Sequence, residues 1–143
     1  MLGQSWLAWA LASSGFAALT AIFAKIGVGG VNSDFATFVR TLVILGVTAL
    51  IVTANGAWQA PETVARRTWL FLILSGLATG ASWLCYFRAL QLGDAARVAP
   101  IDKLSVVLVA LLGVVLLGEQ LSATHWLGVA LIAAGAALVA IGP

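Results

Sequence analysis

Three charged residues, Arg40, Asp102 and Lys103, interrupt long apolar runs of this chain. A charge at the centre of a membrane helix costs about 2.5–3.5 kcal/mol, and less near its edge. Ser75, Thr79, Ser82, Trp83 and Tyr86 give a second signal, recurring at intervals of three or four. That spacing puts them on one helical stripe. Hydroxyls mixed with an aromatic ring suit the wall of a cavity for a small amphipathic molecule. The candidate substrate-binding set is therefore Arg40, Thr79, Trp83, Tyr86, Asp102 and Lys103. Each signal also has a plainer reading. Arg40 and Lys103 can snorkel to the headgroups while Asp102 neutralises one of them. The stripe can serve helix–helix packing through hydrogen bonds.

Other chemistry is sparse. Cys85 is the one cysteine, so it has no disulfide partner within the chain, and His125 is the one histidine. No Cys/His spacing suggests a metal site, and no cofactor is expected. Cys85 and His125 fall on separate helices toward opposite membrane faces, so no nucleophile–base set forms and an enzyme is not expected. The basic residues are scattered, and nothing points to nucleic acid.

The elements that must position these groups follow from composition. Of 143 residues, 62% are hydrophobic and 8% charged. A soluble domain carries roughly 25% charged residues, so this chain cannot cover a water-facing surface of normal size. A bilayer core of about 30 Å needs roughly 20 apolar helical residues. Five segments meet this: about 5–28, 35–54, 68–92, 98–118 and 124–141. The fold class is an all-α membrane protein, because backbone groups in lipid must be satisfied internally. A β-barrel would need alternating segments of about ten residues, which are absent. The first span lacks the basic leader of a signal peptide and is too long for one. Turns are expected at Gly27 to Asn32, at Gly93-Asp94 and at Gly118 to Ser122, where Ser122 or Thr124 can cap the last helix. The longest loop, 55–67, carries Pro61, Glu62, Arg66 and Arg67.

Five spans put the termini on opposite sides. The N-terminal side holds Arg66 and Arg67; the other holds Lys25, Arg88 and Arg97 near its loops, with Arg40 and Lys103 deeper. The near-loop residues divide too evenly for the positive-inside rule to fix an orientation, while all seven basic residues together favour the second side in the cytoplasm. Trp6, Trp9, Trp58, Trp69 and Trp126 all fall at the N-terminal side, as an interfacial belt would. Trp83 does not. Arg40 and Asp102 sit at matched depths, roughly 6–8 Å below the opposite surface, so they could pair. Pro100 is expected near the start of the fourth span, where a proline is tolerated, or as a hinge.

Small residues report packing. Gly76 and Gly80 form a GxxxG in the third span. Gly128, Gly135 and Gly142 recur every seven residues in the fifth, among alanines. Small residues at that spacing allow close helix approach, between chains or within one.

The run from Tyr86 to Asp94 (YFRALQLGD), Ala99-Pro100, the segment Leu116-Leu117-Gly118-Glu119-Gln120-Leu121-Ser122 and the stretch from Trp126 to Gly135 resemble the EamA domains of the drug/metabolite transporter superfamily. Lys25 and Arg40 fall where that family tends to carry basic residues. The resemblance covers nearly the whole chain, 1–143, as a single EamA-like domain. It implies one half of an inverted-repeat transporter, since typical members hold two such units of opposite orientation around a central cavity. One unit alone implies two copies associating, as the similar small multidrug resistance proteins do in antiparallel fashion. The glycines at 128, 135 and 142 then resemble a dimerisation helix. Those small exporters depend on a glutamate in their first helix, and the first span here has no acid. Asp102 is the acid within a span, and Glu119 ends the fourth.

The expected function is a secondary transporter or exporter of small metabolites in a bacterial-type inner membrane, working by alternating access as an antiparallel homodimer. Trp83, Tyr86 and Thr79 would line the cavity. Arg40, Lys103 and Lys25 would attract anionic or zwitterionic groups, and Asp102 would hold the bases or carry a proton. The rival is a non-transporting membrane subunit that pairs with a different half or stabilises another complex.

Overall fold

Long apolar runs leave the backbone one way to satisfy itself in lipid, and the chain takes it almost throughout. The computed structural model describes residues 6–142. Its helices are α1 (Trp6–Gly27), α2 (Ser33–Ala54), α3 (Arg66–Leu92), α4 (Ala95–Asp102), α5 (Leu104–Leu117) and α6 (Ala123–Ile141). A short 3-10 turn, Pro61–Thr63, lies in the α2–α3 loop. Five helical stretches are long and apolar enough to cross a membrane, α4 and α5 counting together as Ala95–Leu117. Ser5, expected to open the first span, lies outside the described residues.

The chain divides into two compact units. One is Phe23–Leu92; the other joins Met1–Ile22 to Gly93–Pro143. In the first unit, α2 packs on α3. Its interior is small: Ala24, Val28, Phe87, Leu90, Ser33 and Thr37 are buried. In the second, α6 packs on both α4 and α5, with Gly113 and Ala136 buried. Most large aliphatic side chains face outward, Leu77 at 67% and Leu116 at 72% exposure among them. Outward leucines on the long helices suit acyl chains, which are as apolar as leucine.

The turns are built from specific bonds. Asn32 caps α2, its side chain accepting from the N–H groups of Asp34 (2.8 Å) and Phe35 (3.2 Å). Asp34 adds an acid to that first turn, where the helix dipole favours it. At the far end of α2, Gly56 N–H bonds Thr53 O at 3.1 Å and Ala57 N–H bonds Val52 O at 2.9 Å. This is a Schellman closure, with Gly56 at a φ of 58°. Ser122 caps α6: its hydroxyl accepts from His125 N–H, and His125 Nδ1 accepts from Ser122 N–H. His125 is thus a capping residue.

Three spans begin two or three residues before the approximate bounds read from the sequence. The second span begins at Ser33 and not at residue 35, because Asn32 supplies the cap; the third begins at Arg66, which places Arg66 and Arg67 in a helical first turn. The fourth span begins at Ala95, after an extended Asp94, so Pro100 lies inside α4 and not near its start. That span is also not one unbroken helix. Pro100 has no N–H to offer the preceding turn. Three residues on, Lys103 N–H is shared between Ala99 O (3.3 Å) and Pro100 O (3.2 Å), and helix resumes at Leu104.

Candidate functional site

Arg40 is the eighth residue of α2, about 10 Å along the helix from Ser33 at 1.5 Å per residue. Ser33 and Thr37 precede it at helical spacing and are buried, so this face of α2 is the one turned inward. Thr37 returns its hydroxyl proton to Ser33 O at 2.9 Å, and Thr41 does the same to Thr37 O at 2.8 Å. These back-bonds satisfy the hydroxyls without a partner helix.

The facing stripe of α3 holds Trp83, Tyr86, Phe87 and Leu90. The Arg40 guanidinium carbon lies 3.4 Å from the Trp83 ring centroid and 5.9 Å from that of Phe87. Trp83 meets Tyr86 edge to face, with centroids 5.4 Å apart and planes at 80°. Phe87 meets Trp83 at 5.9 Å and 60°. Phe87 is buried, while Arg40, Trp83 and Tyr86 are half-buried. A cation over an indole face is held by the ring quadrupole, worth about 2 kcal/mol when desolvated. The guanidinium therefore reaches across to α3 and does not run along its own helix to the headgroups.

Around this stack the end of α3 is tied down. Lys25, near the end of α1, donates to Leu90 O at 2.8 Å. A lysine on a last-turn carbonyl complements the negative end of the helix dipole. Gln91 donates to Val31 O at 2.9 Å, and Arg88 donates to Gln91 Oε1 at 3.0 Å. Lys25, read in the sequence as attracting substrate, thus has a structural bond to Leu90.

The remaining candidates lie elsewhere. Thr79 is exposed on α3 and gives its proton to Ser75 O at 2.8 Å. Asp102 and Lys103 belong to the other unit, at the α4–α5 break, and form an ion pair with each other at 3.4 Å. Arg40 and Asp102, which the sequence reading allowed to pair, each have a partner within their own unit, the Trp83 ring and Lys103. The structure thus joins Arg40, Trp83 and Tyr86; Thr79 stands one turn before Trp83 on the same helix.

Gly128 and Gly135 are exposed on α6, and a Cβ built on either would meet nothing within 4 Å. The inward face of α6 is instead Trp126, Val129, Ala133 and Ala136. Gly142 caps α6, and its carbonyl accepts from Arg97 at 3.3 Å. Cys85 is exposed. Among the described residues no group of three His, Cys, Asp or Glu could hold a metal ion.

Sequence reading missed Phe87 and the Ser33–Thr37 pair. The available signal was spacing: Thr37 and Arg40 are three apart, and Phe87 is four from Trp83.

Residues 4–141 match the EamA-like transporter family. A protein of Sinorhizobium sp described as "Uncharacterized transporter in cobO 3'region" is 67% identical over 140 residues, which are 98% of this chain and 99% of that protein. No solved structure gives a significant match. A family match over nearly every residue, on a fold of five apolar spans, makes this chain a member of the EamA-like transporter family.

Proposed function

We propose that the chain is a secondary transporter or exporter of small metabolites in a bacterial-type inner membrane, working by alternating access as an antiparallel homodimer. The observation that carries this reading is a cation held on an aromatic shelf inside a span, Arg40 on Trp83. Intramembrane charges that face protein mark substrate or ion pathways. Residues 1–143 act as one five-span domain, and a second copy in inverted orientation supplies the opposite wall. Inverted repeats with a shared midplane site are a general route to alternating access. The Sinorhizobium protein, called a transporter, matches over almost its whole length, so it too spans a single repeat's worth of chain. Arg40, Thr79, Trp83 and Tyr86, all within Phe23–Leu92, contribute to the site, and the Asp102–Lys103 ion pair is a separate candidate in the other unit. Gly128, Gly135 and Gly142 contribute to the dimer contact.

Flux into proteoliposomes is the test. Time-dependent, saturable uptake that falls in Arg40→Ala, Trp83→Ala and Asp102→Ala supports the site. Uptake unchanged in all three removes it. Reporters fused to each terminus test the inverted pairing: signal from both membrane sides for each terminus is expected.

A further inference from the structure

Within Phe23–Leu92 the acids are Asp34 and Glu62. Asp34 stands in the first turn of α2 beside Ser33 Oγ at 3.4 Å, and Glu62 lies in the loop at the opposite end of that helix. Neither forms an ion pair with Arg40. The Arg40 charge is thus fixed by a ring and left without a counter-anion in its own unit. Stacking on Trp83 occupies the face of the guanidinium. Its N–H donors lie in the plane, in a fork that matches a carboxylate two bonds at a time.

We propose that Arg40, held on Trp83, anchors the carboxylate of a small organic monoanion whose apolar body lies against Trp83 and Tyr86. The proposal rests on the transporter reading above and names its substrate class. One cation matches one negative charge. A dianion would need a second cation, and Lys25 is already bonded to Leu90 O. The ring surface beside the fork is half-buried indole and phenol, which favours an apolar or aromatic body over a sugar-like one. A lipid phosphate offers similar oxygens, but the guanidinium is set about 10 Å along α2 and turned onto α3.

The experiment uses the full chain in phosphatidylcholine nanodiscs, with equilibrium dialysis of radiolabelled benzoate, benzylamine and benzyl alcohol. Saturable binding of benzoate, with neither the amine nor the alcohol bound, is expected. Arg40→Gln weakens benzoate by at least about tenfold, the loss of charge-assisted hydrogen bonds. Arg40→Lys also weakens it, because the charge stays and the fork goes. Absence of benzoate binding overturns the proposal, as does equal binding in Arg40→Gln or equal binding of benzylamine. A parallel set in phosphatidylglycerol nanodiscs separates the anion sources: competitive loss of benzoate there assigns the fork to lipid and overturns the proposal. Circular dichroism and gel filtration establish that each variant is folded. Should Arg40→Gln not fold, the benzoate-to-benzyl alcohol ratio on the wild type decides. Benzoate binding without flux of any solute defeats the transporter reading alone. Flux of a cationic solute unaffected by Arg40→Gln defeats this proposal alone.

Discussion

Arg40 shows how one side chain is decided by its nearest surface. A long cation in a span can snorkel outward or settle on an aromatic face, and here Trp83 lies 3.4 Å from the guanidinium carbon. The two side chains should therefore be coupled. A double-mutant cycle over Arg40→Ala and Trp83→Ala should give a coupling of about 0.5–2 kcal/mol, read from thermal unfolding in detergent. Additive effects would mean that the stack contributes nothing. Lys25 gives a contrasting prediction. Lys25→Met leaves Leu90 O without its donor, so stability should fall by about 1 kcal/mol. Amide exchange should rise in the last turn of α3 and stay unchanged in α6. Both charges were visible in the sequence as intruders in apolar runs. Their partners were not, because a partner on another helix leaves no local pattern.

Elements follow local rules more closely. The caps at Asn32 and Ser122 and the turns at Gly56 and Gly118 sit where small polar residues and glycine occur in the sequence. Gly118 holds a φ of 70°, a region that costs other residues about 1–2 kcal/mol. Gly118→Ala should lower stability by that amount in chemical denaturation, while Gly128→Ala, with open space at its Cβ, should not. The α4–α5 break was legible only as a proline. Its place depends on where the helix begins, and Asp94 starts it three residues earlier than the apolar pattern indicates. Pro100→Ala should restore an N–H and slow exchange at residues 100–104 if the break is sequence-driven. Unchanged exchange would assign the break to packing against α6.

At the scale of the whole molecule the outward surface is the main fact. Large apolar side chains face outward on every helix, and the buried set among the described residues is a few small side chains with Phe87 and Leu90. An exterior of that kind has no driving force for burial in lipid, so association must come from shape. The open backbone at Gly128 and Gly135 is the surface that offers it. Gly135→Leu should shift the detergent-solubilised chain from dimer to monomer in light scattering, with helicity preserved. A dimer that survives this change, and the matching Gly128→Leu, would move the contact to another helix.

The sequence by itself determined the class, the count of spans and the family. Those depend on hydropathy and run length, which the bilayer reads residue by residue along the chain. The structure decided what the polar groups touch. Arg40 turned to Trp83, Lys25 to Leu90 and Asp102 to Lys103. The first two rest on distances between helices, set by packing and not by the order of residues in either one, whereas Asp102 and Lys103 are chain neighbours.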